Sequence, residues 1–415
     1  MCIWNPDISG EACPENEQKG LSPLKARRLS DVKKANQNLI FETIRHNPDT
    51  SISDLVFQTQ MSRPTVTACV RDLEKESLIC ASGSSVSVGG RTSVLYRVSA
   101  NARYAIGVDC EFPPVRISIA NLDYERIAQK TIQINAGVPC LDAVQMIAGA
   151  IEQLILSSGI DRNLCLGIGI GMPGQIDRDH NHSISVEKIP NWRDIPIGRL
   201  ISDRLKMPVF LENDVNLLAL AEYRINPFAS AAQNRMFLYV RGGIGMGIIM
   251  EGSLLEGNMG NAGRIGHMSI NAEGPRCICG NRGCLSLYVS GHAIVSDFKN
   301  ASRLPVQSFR DVTNLADAGN REAVASLKKA GRYLGAASVG LTNLFDISYI
   351  TVCAKGNPSY LAEEVRTSFE ELTDHYRHRK MEIHAVEDTD DSFLLLGGCV
   401  LVVDHFIQSM TQSKI

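Results

Sequence analysis

The sequence predicts an α/β protein of two lobes preceded by a winged helix-turn-helix. Three observations carry this. Beyond residue 100, apolar strand-like runs alternate with helical runs, and the alternation occurs twice, around Gly107 to Asp177 and around Tyr239 to Gly356. Such alternation indicates α/β architecture, and its repetition indicates two lobes with a cleft between them, the usual place for a small ligand. Ahead of it, residues 31–99 read as three short helices followed by a strand pair. Within the second repeat, His267, Cys277, Cys279 and Cys284 crowd into eighteen residues, at the spacing of metal ligands.

Residues 1–22 are polar and aperiodic, with Pro6 and Pro14, and are expected to form a disordered arm. The winged helix-turn-helix is expected over 23–100 and the two-lobed domain over 101–415. DVKKANQNLIFETIRHN (31–47) sets Val32, Ala35, Leu39, Ile40 and Ile44 at helical spacing. SISDLVFQTQ supplies a short second helix capped by Ser51 or Ser53, and Met61-Ser62 a turn. RPTVTACVRDLEK (63–75) supplies the third helix. Ser62 is a good N-cap for it, and Pro64 lies in the first turn, where its missing N–H does no harm. Val66, Cys69, Val70 and Leu73 make the buried face, which leaves Arg63, Thr65, Thr67 and Arg71 outward. The stretch 77–99 alternates, turns through Gly83 and Gly89-Gly90, and alternates again as a two-stranded hairpin.

In such a unit the third helix lies in the major groove of double-stranded DNA, with short polar side chains and arginines facing base edges and phosphates. Ser62, Arg63, Thr65, Thr67 and Arg71 are the expected contacts, and Arg91 at the wing tip is placed to enter a minor groove. From Leu21 to Ala100 there are eleven Lys/Arg against seven Asp/Glu, although the whole chain carries a net charge of −3. The local excess is compatible with nucleic-acid contact. A small helical protein-interaction module is the alternative.

The two-lobed domain opens with YAIGVDCEFPPVRISIA (104–120), a strand, a turn and a second strand, and NLDYERIAQKTIQI continues the meander. A helix is expected over 141–158. LCLGIGIGMPGQID is a buried strand ending in a Gly/Pro loop, and MPVFLENDVNLLALAEYR a short strand followed by a helix that begins near Asn213-Asp214. RMFLYVRGGIGMGIIMEGSLL reads as strand, glycine loop and strand. Helices follow over 321–345 and 358–376 with the strand ISYITVCAKG between them, and FLLLGGCVLVVDHFI is a last apolar helix.

Composition bounds the function. The 415 residues are 44% hydrophobic and 21% charged, ordinary for a soluble globular protein with ample core. No apolar run is expected to reach the length needed to cross a bilayer, and the first twenty residues lack the basic-then-apolar order of a secretory signal. A cytoplasmic location follows, and with it the reading of the twelve cysteines as thiols or metal ligands.

Thiolate and imidazole suit zinc, which takes four ligands in a tetrahedron. Cys277, Cys279 and Cys284 can share one ion with His267 only if the backbone between them turns sharply. Gly280 and Gly283 permit that turn, because glycine accepts positive φ. Four protein ligands leave no open position, so the expected zinc is structural. Four unrelated buried residues are the alternative.

GIGIGMPGQID (167–177), ENDVNLLALAE (212–222), the run from Gly243 to His267 and CICGNRGC (277–284) together resemble the ROK family, which groups sugar kinases with sugar-responsive repressors. The resemblance runs from about Lys33 to Phe406. It implies the actin-like, ribonuclease H-like two-lobed sugar-kinase fold, and the His-x9-Cys-x-Cys-x4-Cys spacing matches the family's zinc site. The N-terminal winged helix implies the repressor branch.

By the same resemblance Asp214 matches the kinase's catalytic base, although an aspartate there also serves as a helix cap. The phosphate loops depart from the kinase pattern. Asp109 is followed by Cys110-Glu111-Phe112-Pro113-Pro114 where kinases carry a Gly-Gly-Thr turn. Arg241-Gly242-Gly243-Ile244-Gly245 lacks the threonine, and the third loop is Ala354-Lys355-Gly356. Prolines offer no N–H and Glu111 repels phosphate, so no catalytic residue is expected. Asn213, Asp214 and His267 match sugar contacts. Arg264 and Ser286 replace two glutamates, and Lys188 falls near an asparagine position. Arginine donates where glutamate accepts. The resemblance thus implies a carbohydrate-responsive repressor whose effector, held by Asn213, Asp214, Arg264, His267, Ser286 and Lys188, is a sugar or an anionic sugar derivative gripped by Arg264. Arg264 paired to Glu212 or Glu187 is the alternative. A homo-oligomer, dimer or tetramer, is expected on paired DNA half-sites. A sugar kinase with an accessory domain and a regulator controlled by a protein partner remain as rival readings.

Overall fold

The structure, a computed structural model, describes residues 29–415 apart from 87–91, 112, 136, 187–188, 190, 226–231, 259, 373–379, 390–391 and 411–415. The expected arm, Arg91 and Lys188 lie outside the described residues.

The N-terminal unit runs α1 (Leu29–His46), β1 (Thr50–Ser51), α2 (Ile52–Thr59), α3 (Arg63–Lys75), β2 (Ile79–Val86) and β3 (Thr92–Val98). Its sheet has three strands in the order β1-β3-β2, not the two expected. Thr50 pairs with Tyr96 and Ser51 with Leu95. Two residues are too few to show alternation in sequence, and Ser51 is at the same time the N-cap of α2, in a reciprocal capping box with Asp54. Ser62 caps α3 as expected, accepting the Thr65 N–H, and Val66, Cys69, Val70 and Leu73 are buried against Ile40, Phe41, Ile44 and Leu55.

The first lobe runs β4 (Tyr104–Cys110), β5 (Val115–Asn121), β6 (Arg126–Ile132), α4 (Cys140–Ser158), β7 (Cys165–Met172), β8 (Gln175–Asp177), β9 (His182–Ser185), β10 (Arg193–Ile195), α5 (Ile197–Leu205), β11 (Val209–Asn213) and α6 (Asp214–Ile225). The second runs β12 (Arg235–Val240), β13 (Ile244–Met250), β14 (Ser253–Leu254), α7 (Ser286–Val289), α8 (Gly291–Ala301), α9 (Phe309–Asp317), α10 (Arg321–Phe345), β15 (Tyr349–Ala354), α11 (Ser359–Glu370), β16 (Glu382–Glu387) and α12 (Ser392–Ser409). The first sheet has the order β11-β7-β4-β5-β6 and the second β14-β13-β12-β15-β16. In each, an antiparallel meander is followed by two strands parallel to its first. The repeat expected from the alternation is therefore present strand for strand.

The helix that ends each repeat packs across the other repeat's sheet. Val215 and Ala219 of α6 lie on Gly245 and Gly247 of β13, while the backbone of α12 lies on Gly107 of β4 and Gly169 of β7. The crossing is close. A Cβ on Gly169 would stand 2.1 Å from the carbonyl oxygen of Gly398, so only glycine fits. Beyond the crossing, α12 sends Cys399, Val402, Val403 and Ile407 into the same core as the winged helix, with Ile40 and Val66.

One sequence expectation is corrected. Helix α4 is long and apolar enough, by length and composition, to cross a membrane. It spans 19 residues, and its apolar face (Val144, Ile147, Ile151, Ile155) is buried in the core of the first lobe, as a core helix requires.

Candidate metal centre and effector cleft

Between β14 and α7 the chain forms a loop closed by two isolated bridges, Ser269 with Cys284 and Arg276 with Arg282. It gathers the four expected ligands. Nδ1 of His267 is 3.7 Å from Sγ of Cys277, Sγ of Cys279 is 3.7 Å from Sγ of Cys284, and all four donor atoms lie within 4.8 Å of one another. A tetrahedral ion with bonds of about 2.0–2.3 Å spaces its ligands by roughly 3.3–3.8 Å, so the four donors fit a single metal ion. Gly280 and Gly283 take φ of 91° and 59°, as the turn demands, and a Cβ on Gly283 would strike the Asn271 carbonyl. The backbone N–H of Cys279 and neighbouring donors lower the Cys277 thiol, while burial raises that of Cys284 beside it.

The same loop feeds the cleft. Strand β11 ends in Asn213 and α6 opens with Asp214, both carboxamide and carboxylate accepting the Val215 N–H at 3.0 Å. The cap is therefore Asn213, whose carboxamide accepts the N–H two residues on, whereas Asp214, read from sequence as the cap, is the first residue of the helix and reaches only its neighbour's N–H. Nδ2 of Asn213 and Nη2 of Arg264 converge on the carbonyl oxygen of Gly174, at 3.5 Å and 2.7 Å. Gly263 and Gly266 lie against the carbonyls of Met246 and Ile244, either side of Gly245, on which Val215 of α6 rests. The metal loop thereby sets Arg264 beside Asn213 at the start of α6, with His267 three residues further along the same loop. With Nδ1 turned to the thiols, Nε2 of His267 occupies the opposite edge of the ring, away from them. Ser286 opens α7 two residues after Cys284.

Of the two acids weighed as partners for Arg264, Glu187 lies outside the described residues and Glu212 is engaged by Arg178, whose Nε is 2.8 Å away. Arg178 also bonds Glu256. Burial pushes the Glu212 carboxyl up, and Arg178 pulls against it. Arg178 was not among the sequence candidates, because nothing in its local pattern marks a residue that meets Glu212 thirty-four positions later.

Three residues of the loops that depart from the kinase pattern meet where three strands end, a contact not read from the sequence. Glu111 follows β4, Arg241 follows β12 and Lys355 follows β15. Glu111 is 3.1 Å from Lys355, 3.3 Å from Arg116 and 3.4 Å from Arg241. Arg116 also reaches Asp109 at 3.0 Å, and Arg241 reaches Asp214 at 3.8 Å.

On α3, Arg63 and Arg71 are exposed, with Nη1 of Arg63 3.3 Å from Oγ of Ser53. Thr67 bonds back to the Arg63 carbonyl at 2.8 Å, and Thr65 is half-buried beside the Ser62 cap. Helical spacing adds Ala68 and Lys75 to the exposed face of Arg71. Lys75 extends the basic stripe by one turn and was readable from its i+4 offset.

The family model described as "ROK family" matches residues 106–405. The chain is 32% identical to the xylose repressor of Bacillus subtilis (strain 168) over 319 residues, which is 76% of this chain and 80% of that repressor. Among solved structures, a ROK family transcriptional regulator described as a homologue of the E. coli MLC protein shares the fold, with a TM-score of 0.77 at 22% identity over 92% of this chain and 98% of that one. The ROK hexokinase from Thermus thermophilus superposes with a TM-score of 0.61 at 25% identity, over 73% of this chain and 99% of the hexokinase.

Proposed function

The chain belongs to the ROK family, and from that premise we propose that it is a DNA-binding transcriptional repressor of carbohydrate-metabolism genes, with a sugar or anionic sugar derivative as effector. One observation carries the reading. The winged helix is packed in one core with α12, the helix that also backs the first lobe's sheet, so a change in the cleft reaches the DNA-reading unit through a continuous body. The repressor name of the Bacillus relative supports the same assignment.

The finer parts of the proposal are these. The metal is a structural zinc: the donor atoms of His267, Cys277, Cys279 and Cys284 lie within 4.8 Å of one another, and four protein ligands leave no open position. It holds His267 in place, and Nε2 of that ring serves an effector hydroxyl. Asn213 and Asp214 meet further hydroxyls, Arg264 an anionic group, and Ser286 borders them. Phosphoryl transfer is not the activity, since Glu111 stands among the cations that a kinase would turn toward phosphate. The protein acts in the cytoplasm as a dimer or tetramer on double-stranded operators, where paired half-sites gain affinity from linkage. Effector binding shifts the population between cleft states and with it the spacing of the two winged helices.

Selection of binding sites from random duplexes, followed by titration, tests the DNA reading. Arg63→Ala with Arg71→Ala is expected to weaken operator binding by roughly a hundredfold and to lower the salt slope by about two. Failure to enrich any duplex, or binding unchanged in the double variant, would sink it.

Calorimetry with neutral sugars, sugar acids and sugar phosphates tests the cleft. Arg264→Ala is expected to cost an anionic effector at least about tenfold in affinity and to leave neutral sugars nearly unaffected. Strong binding of neutral sugars by the unaltered protein, with none of acids or phosphates, would remove the anionic assignment. Retention of Asp214 keeps the kinase as second reading, and phosphoryl transfer from ATP that disappears in Asp214→Asn would favour it.

A further inference from the structure

We propose that Arg45 of α1 is the residue through which the effector cleft acts on the DNA-reading unit, by way of Asp404 of α12 and Arg224 of α6. The inference rests on the reading of the chain as an effector-controlled DNA-binding protein, and it names the contact that carries the control. Helix α6 joins the two ends. It opens at Asp214 in the cleft, keeps every residue from Asp214 to Glu222 buried, and reaches Arg224 in its last turn. Its twelve residues span about 18 Å. There Arg224 donates to one oxygen of Asp404, from Nε at 3.3 Å and from Nη2 at 3.0 Å. Both side chains are largely buried, so the contact is stronger than it would be on an open surface. The far ends of α6 and α12 are thus tied to each other.

Arg45 enters from the DNA-binding unit. Arg63 and Arg71 of that unit are exposed, but the side chain of Arg45 is only 11% exposed. Its guanidinium lies 5.5 Å from the centre of the Tyr124 ring, in the turn between β5 and β6. Asp404 is within charge range of Arg45 as well as bonded to Arg224. Tyr124 takes φ of 60°, a region that bulky residues rarely adopt, and so delivers its ring to the seam. Asp123 beside it faces Arg45 and also Arg97 of β3. The two halves of the junction differ in kind. Arg224 and Asp404 are hydrogen-bonded. Arg45 meets Glu42 at 3.6 Å, and Nη1 of Arg45 and Oε1 of Glu42 are buried with no hydrogen-bond partner among the described residues. Charge attraction falls off slowly with distance, whereas a hydrogen bond weakens steeply as its angle closes. The seam at Arg45 therefore yields first when α6 and α12 shift, and holds the winged helix in a second position without breaking a bond.

Coupling between two sites is reciprocal, so a duplex bound at the winged helix must act back on the cleft along the same residues. The probe is a duplex selected from random sequence by the unaltered full-length protein. The readout is amide exchange over 213–217, where α6 starts, in free and bound protein. Binding is expected to change exchange there by at least about fivefold in the unaltered chain. Arg45→Met keeps an apolar stem and removes the charge. It is expected to bind the duplex, because α3 is untouched, and to leave exchange over 213–217 the same free and bound. Asp404→Asn is expected to lose the response in the same way, and the two changes together to add nothing, as members of one relay do. A full response in Arg45→Met, or none in the unaltered protein on a duplex that it binds, would overturn the proposal and leave the DNA-binding reading standing. Loss of duplex binding by folded Arg45→Met would overturn it too, by making Arg45 a plain DNA contact. Failure to select any duplex would remove both readings. Should Arg45→Met not fold, Asp404→Asn alone decides, on the same outcomes.

Discussion

Cys279→Ser is expected to reduce bound metal from about one ion per chain to a small fraction, and to abolish effector control of DNA binding while DNA binding itself persists. Cys279 suits the test because its side chain is exposed, whereas Cys277 and Cys284 are buried, so serine there removes a ligand without opening a cavity. The remaining His267, Cys277 and Cys284 leave a three-coordinate site. The loop between Gly263 and Cys284 is also held by two isolated bridges, its own backbone and side-chain bonds and the packing of Ile265, Met268 and Ile270, so loss of the ion loosens it around the ligands without unfolding it. That loop sets Arg264 beside Asn213 at the start of α6, with His267 three residues further along, hence the loss of effector response. The winged helix has its own core of Ile40, Phe41, Leu55 and Val66, far from the loop in sequence and packed on α12, hence the retained DNA contact. Elemental analysis and operator titration with and without effector read both effects. Full metal content in the variant, or an unaltered response, would contradict the assignment.

Glu222→Leu is expected to be the most destabilising single change on α6. Glu222 and Arg235 are 2% and 1% exposed and lie 3.1 Å apart. Glu222 also accepts from Thr351 at 3.2 Å, and the Arg235 guanidinium packs over the rings of Tyr223 and Tyr349. Removing one partner leaves a buried, uncompensated cation, which costs about 3–5 kcal/mol. A fall in melting temperature of roughly 3–6 °C follows for a chain of this size. Glu222→Leu with Arg235→Met is expected to recover most of the loss, since a well-packed apolar pair can replace a buried ion pair. Thermal denaturation of the four proteins checks this, and a single variant within about 1 kcal/mol of the unaltered chain would show that the pair is not what joins α6 to the second sheet.

What the sequence made legible was local. The third helix of the DNA-binding unit announced its cap, its proline and its buried face within thirteen residues, and the structure keeps all three. The metal loop was readable because ligand spacing and turn glycines fall in one short run. The repeat was readable because strand and helix periods differ. What stayed hidden depends on distance along the chain. Arg178 meets Glu212, and Glu111 meets Lys355 across 244 positions, through contacts that no periodicity records. Strand β1 and the sheet of β8, β9 and β10 were missed because segments of two to four residues carry no pattern. Nothing in the local pattern says why Gly107 of β4 and Gly169 of β7 are glycines, yet they mark where another backbone presses on the sheet.

The exchange of α6 and α12 between the sheets has a mechanical consequence. Backbone seated directly on glycine leaves no side chains to slide past one another, so relative motion at the crossing is a pivot. The winged helix rides on the far part of α12, an 18-residue helix about 27 Å long. From Gly398, where its backbone meets Gly169, the helix runs on for about 16 Å to Ser409, so a pivot of about 10° there swings that end through roughly 3 Å. A small change in cleft angle is thereby carried along α12 into the core that this helix shares with the winged helix.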